Sequence, residues 1–186
     1  LVTIGGDLLI QGNDTLTHIG GLSALETVGD YVGIKSNAVL PNLSGLESLK
    51  FVGGNLGLQY NPEMQEIDAL SNLKTIGGNL HIGQCRMLKN LNGLSSLVSV
   101  DKSLQIASNK ALESLAGLWN LSSLGANEIA GGDSGELGLG DLSIDNNDAL
   151  TSVEGLSSLT QIPGHLFVIK NDELVDFTGL SSLEHI

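Results

Sequence analysis

A Gly-Leu pair returns along this chain at Gly21-Leu22, Gly45-Leu46, Gly93-Leu94, Gly117-Leu118, Gly155-Leu156 and Gly179-Leu180, with Ala69-Leu70 filling the gap. Each step is 24 residues except the one from 117 to 155, which is 38 and so carries 14 extra residues. A unit that recurs at a short fixed period cannot bury an apolar face by itself and must stack on its copies. The chain is therefore expected to be a solenoid, with coils laid one on the next around a continuous core.

Two rhythms inside the unit predict the shape of a coil. One column holds Leu8, Val32, Leu56, Leu80, Leu104, Leu142 and Leu166; two residues on, the next holds Ile10, Ile34, Leu58, Ile82, Ile106, Ile144 and Val168. A spacing of two puts both side chains on one face of a strand, and one strand per coil would pair in parallel at about 4.8 Å. The rest of the unit runs in threes, as in Leu40, Leu43, Leu46, Leu49 and Val52. An α-helix turns about 100° per residue, so that period would drift about 60° a step and smear the apolar stripe. Extended segments and 3₁₀ turns suit it instead. Gly-Gly at 5–6, 53–54 and 77–78 precedes the strand, where positive φ is expected. The expected fold class is all-β: a right-handed parallel β-solenoid of about seven coils over residues 1–186, with little α-helix.

Five residues after the first strand position come Asn13, Asn37, Asn61, Cys85, Asn109, Asn147 and Asn171. A buried Asn carries donors and an acceptor, so stacked copies can satisfy the backbones of neighbouring coils. Cys85 reads as a structural substitute in this ladder, since buried thiols are inert.

With the unit L-x-I-x-x-N-x-x-L-x-x-L-x-G-L in hand, the chain resembles the leucine-rich-repeat superfamily, where the ladder position is Asn or Cys. The stretch 76–85, Ile-Gly-Gly-Asn-Leu-His-Ile-Gly-Gln-Cys, is similar to units of its receptor L-domain branch. The resemblance covers essentially everything outside the insertion. It implies an extracellular or cell-surface protein with a binding or adhesive role. With a single cysteine and no cysteine-rich module, the chain is nearer the microbial and cell-wall relatives than growth-factor receptors. The resemblance transfers no functional residues.

Composition excludes several classes. With 8 Lys and Arg against 21 Asp and Glu, the net charge is −13, which repels nucleic acid and anionic membranes. No apolar run approaches the roughly 20 residues of a membrane span. The chain begins Leu-Val-Thr and stops within a unit, so it is read as a piece of a longer protein whose signal and anchor lie outside it. Open solenoid ends normally carry caps, and end-to-end association is expected where they do not.

Candidate ligand-binding residues lie on the outward strand positions, which vary while the inward ones hold: Lys35, Tyr60, His81, Gln84, Gln105, Asp145, Phe167 and Ile169. A protein or glycan partner is expected there, with exposed aromatics as anchors. The insertion, about 125–140, contributes Glu128, Asp133 and Glu136 as loop candidates, although a Gly-rich excursion without a ligand reads better than a Ca²⁺ site. Asp148 and Asp172 share a column at about one strand spacing, but they fall on a turn and read as solvated. His18, His81, His165 and His185 fall in four different columns, without metal-ligand spacing. No catalytic residue, metal or cofactor is expected. A structural cell-wall spacer is the alternative reading. Ice binding is a further one, weakened because Glu47 and Trp119 interrupt the outer column of Ser23, Ser71, Ser95, Ser157 and Ser181.

Overall fold

The structure, a computed structural model, describes residues 1–125 and 140–186. Seven four-residue strands form one parallel sheet: β1 (Leu8–Gln11), β2 (Val32–Lys35), β3 (Leu56–Gln59), β4 (Leu80–Gly83), β5 (Leu104–Ala107), β6 (Leu142–Asp145) and β7 (Leu166–Ile169). Each strand lies between its neighbours in sequence, and every residue pairs with its repeat equivalent, Leu56 with Val32 on one side and Leu80 on the other. A second, narrower parallel sheet is built from six two-residue strands, Thr3–Ile4 through Ser123–Leu124. The chain is thus a parallel β-solenoid of about six turns.

The period of three resolves as anticipated into turns. Three-residue 3₁₀ segments recur at Gly20–Leu22, Asp68–Leu70, Asn92–Leu94, Ala116–Leu118, Glu154–Leu156 and Thr178–Leu180. Between the two walls Val32, Ile34, Leu40, Leu43, Leu46, Leu49 and Val52 are fully buried, as are their equivalents in the next coils. Each such side chain contributes about 1.5–3 kcal/mol, so stability accumulates coil by coil.

Glycine has a steric task on the wall. A Cβ on Gly93, Gly117 or Gly155 would lie 1.7–1.8 Å from a carbonyl oxygen of the coil before it (Ile67, Leu91 and Leu115). Ala69, the exception in that column, follows the coil in which no 3₁₀ turn forms. There Gly45 takes φ +118°, and both Glu47 carboxylate oxygens accept its N–H at 2.9 and 3.0 Å. Among the described pre-strand glycines only Gly125 and Gly140 take positive φ, at 67° and 82°, and the pairs at 5–6, 53–54 and 77–78 require a correction, because none of them has it. Their reason is close approach again: a Cβ on Gly53 or Gly77 would meet the carbonyl oxygen of Gly29 or Gly53 at 2.1 and 2.3 Å.

Positive φ sits elsewhere, directly after each strand. Ser36, Tyr60, Gln84, Ser108, Asn146 and Lys170 all have φ of 53–60°, in line with Gly12 at 69°. All but Lys170, on the last strand, keep their N–H on the next coil, as Tyr60 does to the Gly83 carbonyl at 3.0 Å. By strand alternation this position would point inward; the left-handed turn leaves it outside and sends the following Asn in. Most of these residues adopt that conformation at a cost of about 1–2 kcal/mol each, so the stack imposes it.

The Asn ladder then closes. Asn37 N–H donates to Asn61 Oδ1 at 3.0 Å, and Asn61 Nδ2 donates back to the Ile34 carbonyl at 2.8 Å. Asn109 and Asn147 repeat the arrangement. At Cys85 the backbone bond to Asn109 Oδ1 survives at 3.1 Å, but Sγ reaches the Leu58 carbonyl only at 3.8 Å. Burial pushes that thiol up to about 11. A second ladder runs in the opposite sense before the strands: Asn79 N–H donates to Asn55 Oδ1 at 2.7 Å, Ser103 N–H to Asn79 Oδ1 at 2.9 Å, and His165 N–H to Asp141 Oδ1 at 2.6 Å.

The insertion splits one Gly-Gly pair. Gly125 and Gly140 come so close that a Cβ on the first would lie 2.7 Å from Cα of the second. Leu104 still pairs with Leu142 in register across it. Removing 126–139 would leave Leu-Gly-Gly-Asp-Leu, matching Val-Gly-Gly-Asn-Leu at 52–56. Glu128, Asp133 and Glu136 lie outside the described residues.

Candidate ligand site on the sheet face

The outward strand column changes size sharply along the stack: Leu9, Gly33, Gly57, His81, Gln105, Ser143 and Phe167. Two adjacent glycines leave β2 and β3 without side chains there. A cleft of about 340 Å³ occupies the space, walled by Tyr31 and Lys35 on one side and by His81 on the other, with Gly57 as floor and Gln59, Asn55 and Asn79 around it. Backbone does not exclude a side chain at Gly57. The nearest atoms to a Cβ there would be Tyr31 Oη at 3.1 Å, Lys35 Cε at 3.2 Å and Gln59 Oε1 at 3.5 Å, all of them side-chain atoms.

Tyr31 stands in the second ladder's column, where other coils hold short side chains such as Asp7, Asn55, Asn79 and Ser103. Its own N–H bonds Asp7 Oδ1 at 3.0 Å, and its ring swings over Gly33. The hydroxyl is the one buried side-chain polar atom without a hydrogen-bond partner among the described residues. Burying a hydroxyl unpaired costs about 1–3 kcal/mol. Lys35 Nζ lies 5.3 Å from the ring centroid, a cation–π contact, and the ammonium has no carboxylate partner among the described ion pairs.

Across the floor, Gln59 Nε2 lies 2.8 Å from His81 Nδ1 and 3.3 Å from Nε2, so the amide bonds the edge of the ring and the tautomer sets which nitrogen accepts. Burial lowers the His81 pKa first, Lys35 lowers it further, and Asp145 opposes them. At neutral pH this rim therefore offers donors: an ammonium, an imidazole N–H, amides and an unused phenol.

A second cleft of about 190 Å³ adjoins the first and shares Gln59 and His81 with it, bringing in Tyr60, Gln84, Gln105 and Ser108. Lys35, Tyr60, His81, Gln84 and Gln105 thus surround one continuous depression over β2 to β5. The remaining candidates sit apart. Asp145 on β6 accepts from Asn146 Nδ2 at 2.7 Å and lies 3.3 Å from Ser143 Oγ. Phe167 stacks on His165 at 5.5 Å between centroids, with Ile169 exposed beside it on β7. Asp148 is held by Lys110 at 2.6 Å.

Tyr31 escaped sequence reasoning, although an aromatic in a column of short hydrogen-bonding residues was a readable signal. So did the surroundings of Trp119, which walls a cleft of about 520 Å³ on the outer wall with Glu154, Ser157 and Thr178. Among the described residues, no group of three or more His, Cys, Asp or Glu is placed to hold a metal ion, and no helix is long and apolar enough to cross a membrane.

Fold and face together define a parallel β-solenoid with a recessed polar patch on its main sheet. No protein-family model matches the chain, and neither a curated protein nor a solved structure shows significant similarity to it.

Proposed function

We propose that this solenoid is a non-catalytic recognition module, of the leucine-rich-repeat type nearest the receptor L domains, acting at a cell surface or outside the cell. Its partner is a protein or glycan ligand held on the sheet face. The observation that carries this reading is the depression over β2–β5. Its neighbouring coils carry Gly33 and Gly57 where β4 and β5 carry His81 and Gln105, and it collects a cation and a hydroxyl that have no ion-pair or hydrogen-bond partner among the described residues. Concave sites with a few convergent polar groups are where ligands bind.

The test is a glycan and protein binding screen on three proteins: the wild type, Gly57→Val, and the chain lacking 126–139. Ligands retained without the insertion and lost with the filled floor support the reading. A wild type that binds nothing supports the spacer role instead, and thermal hysteresis in the same samples supports ice binding.

A further inference from the structure

Resting on that reading, we infer that the depression takes an acidic oligosaccharide, with one sugar carboxylate at Lys35 and Tyr31 and the hydroxyls of the adjoining residues along Gln59, His81, Gln84 and Gln105. Charge gives the first half. In a chain of net −13, Lys35 projects over a sheet face with no carboxylate paired to it among the described residues. Within the outward strand positions the first carboxylate is Asp145 on β6, four strands or about 19 Å from Lys35, and Asp7, whose Oδ1 takes the Tyr31 N–H at 3.0 Å, forms no ion pair with Lys35 among the described residues. An isolated carboxylate is attracted locally, whereas a dense polyanion is repelled by the chain as a whole.

Tyr31 adds a donor that has no other use. Its hydroxyl and Lys35 Cε lie 3.1 and 3.2 Å from the point above Gly57 where a Cβ would be, so the lysine stem and the phenol share the space over that glycine. When the ammonium turns outward to a carboxylate, the stem leaves with it and the phenol gains both access and an acceptor.

The lining favours a sugar over a peptide. All of β2–β5 are paired on both sides, so no strand edge is open for an added peptide strand. Amides and a hydroxyl line the second cleft: Gln59, Gln84, Gln105 and Ser108. These match a run of sugar hydroxyls.

Calorimetric titration with a galacturonic acid trimer, beside a neutral galactose trimer and a Glu-rich peptide, tests this. The acidic trimer should bind, and raising NaCl from about 50 to about 500 mM should weaken it but not any residual neutral binding. Lys35→Gln should weaken it about tenfold, and Tyr31→Phe should weaken it severalfold while raising Tm, since the change removes an unsatisfied hydroxyl. A merely structural Tyr31 would not separate affinity from stability in that way. Equal binding of both trimers overturns the carboxylate specificity and leaves the sheet-face reading standing. Failure of the acidic trimer at millimolar concentration, with a Gly57→Val-sensitive protein ligand in the screen, overturns the sugar class alone. Binding indifferent to both Lys35→Gln and Gly57→Val overturns the site.

Discussion

Two walls of one solenoid use glycine for opposite reasons. On the outer wall Gly93, Gly117 and Gly155 lie against carbonyl oxygens of the preceding coil, where a methyl group has no space. On the sheet face Gly33 and Gly57 meet only side chains, chiefly those of Tyr31 and Lys35. The first set is required by the stacking of backbones. The second is not required by the fold, and its consequence is an open floor beneath donors. A repeated glycine therefore marks architecture, and glycines confined to two coils mark the floor of the proposed site.

Substitutions can break that comparison, and the wall should respond most. Gly117→Ala places a Cβ 1.7 Å from the Leu91 carbonyl oxygen, and parting two coils to relieve it should cost more than about 3 kcal/mol, by analogy with severe core overpacking. Chemical denaturation measures it; a loss under 1 kcal/mol would mean the coils can separate locally.

The ladder comes next. Asn109→Ala leaves the Cys85 N–H and the Ile82 carbonyl without their partners, which should cost about 2–4 kcal/mol, at about 1–3 kcal/mol for each buried orphan. Cys85→Asn runs the other way. It restores an oxygen acceptor toward Asn61 and a true donor to the Leu58 carbonyl, and should stabilise by about 1 kcal/mol. The wild type should also lose stability at high pH. The folded thiol is raised to about 11 from 9.0, so its contribution is complete below pH 9 and disappears as pH rises from 9 to 11, on the order of 2–3 kcal/mol. Cys85→Asn removes that slope, and urea titrations at pH 8 and pH 10.5 would reveal it.

The smallest stability effect is predicted on the sheet face. Gly57→Val should change unfolding free energy by less than about 0.5 kcal/mol, since Val suits a strand and only flexible side chains must move. Deleting 126–139 should be comparably mild, because it rejoins Gly125 to Gly140 where they already meet.

Much of this architecture was legible because a period is a geometric statement. Leu56 and Leu58 two apart, and Leu40, Leu43 and Leu46 three apart, leave few alternatives to a strand followed by tight turns. The left-handed column was not legible: Ser36, Tyr60 and Gln84 have no local preference for positive φ, and their N–H groups are held by the next coil. The Gly-Gly pairs misled for the related reason that glycine answers both to φ and to crowding. On the face, Lys35, His81 and Gln84 could be read from column position. Tyr31 could not be placed in the cleft from spacing, because its part depends on a ring crossing one strand to reach the next.

One set of glycines holds the coils together and the other opens the floor of the proposed site. The direct measurement is to follow Gly57→Val and wild type in parallel, by chemical denaturation and by titration with a ligand of the sheet face, the galacturonic acid trimer first. Coincident unfolding curves with binding lost in the variant are the predicted result. Binding that survives the filled floor, or lost binding accompanied by an equally large loss of stability, would contradict it.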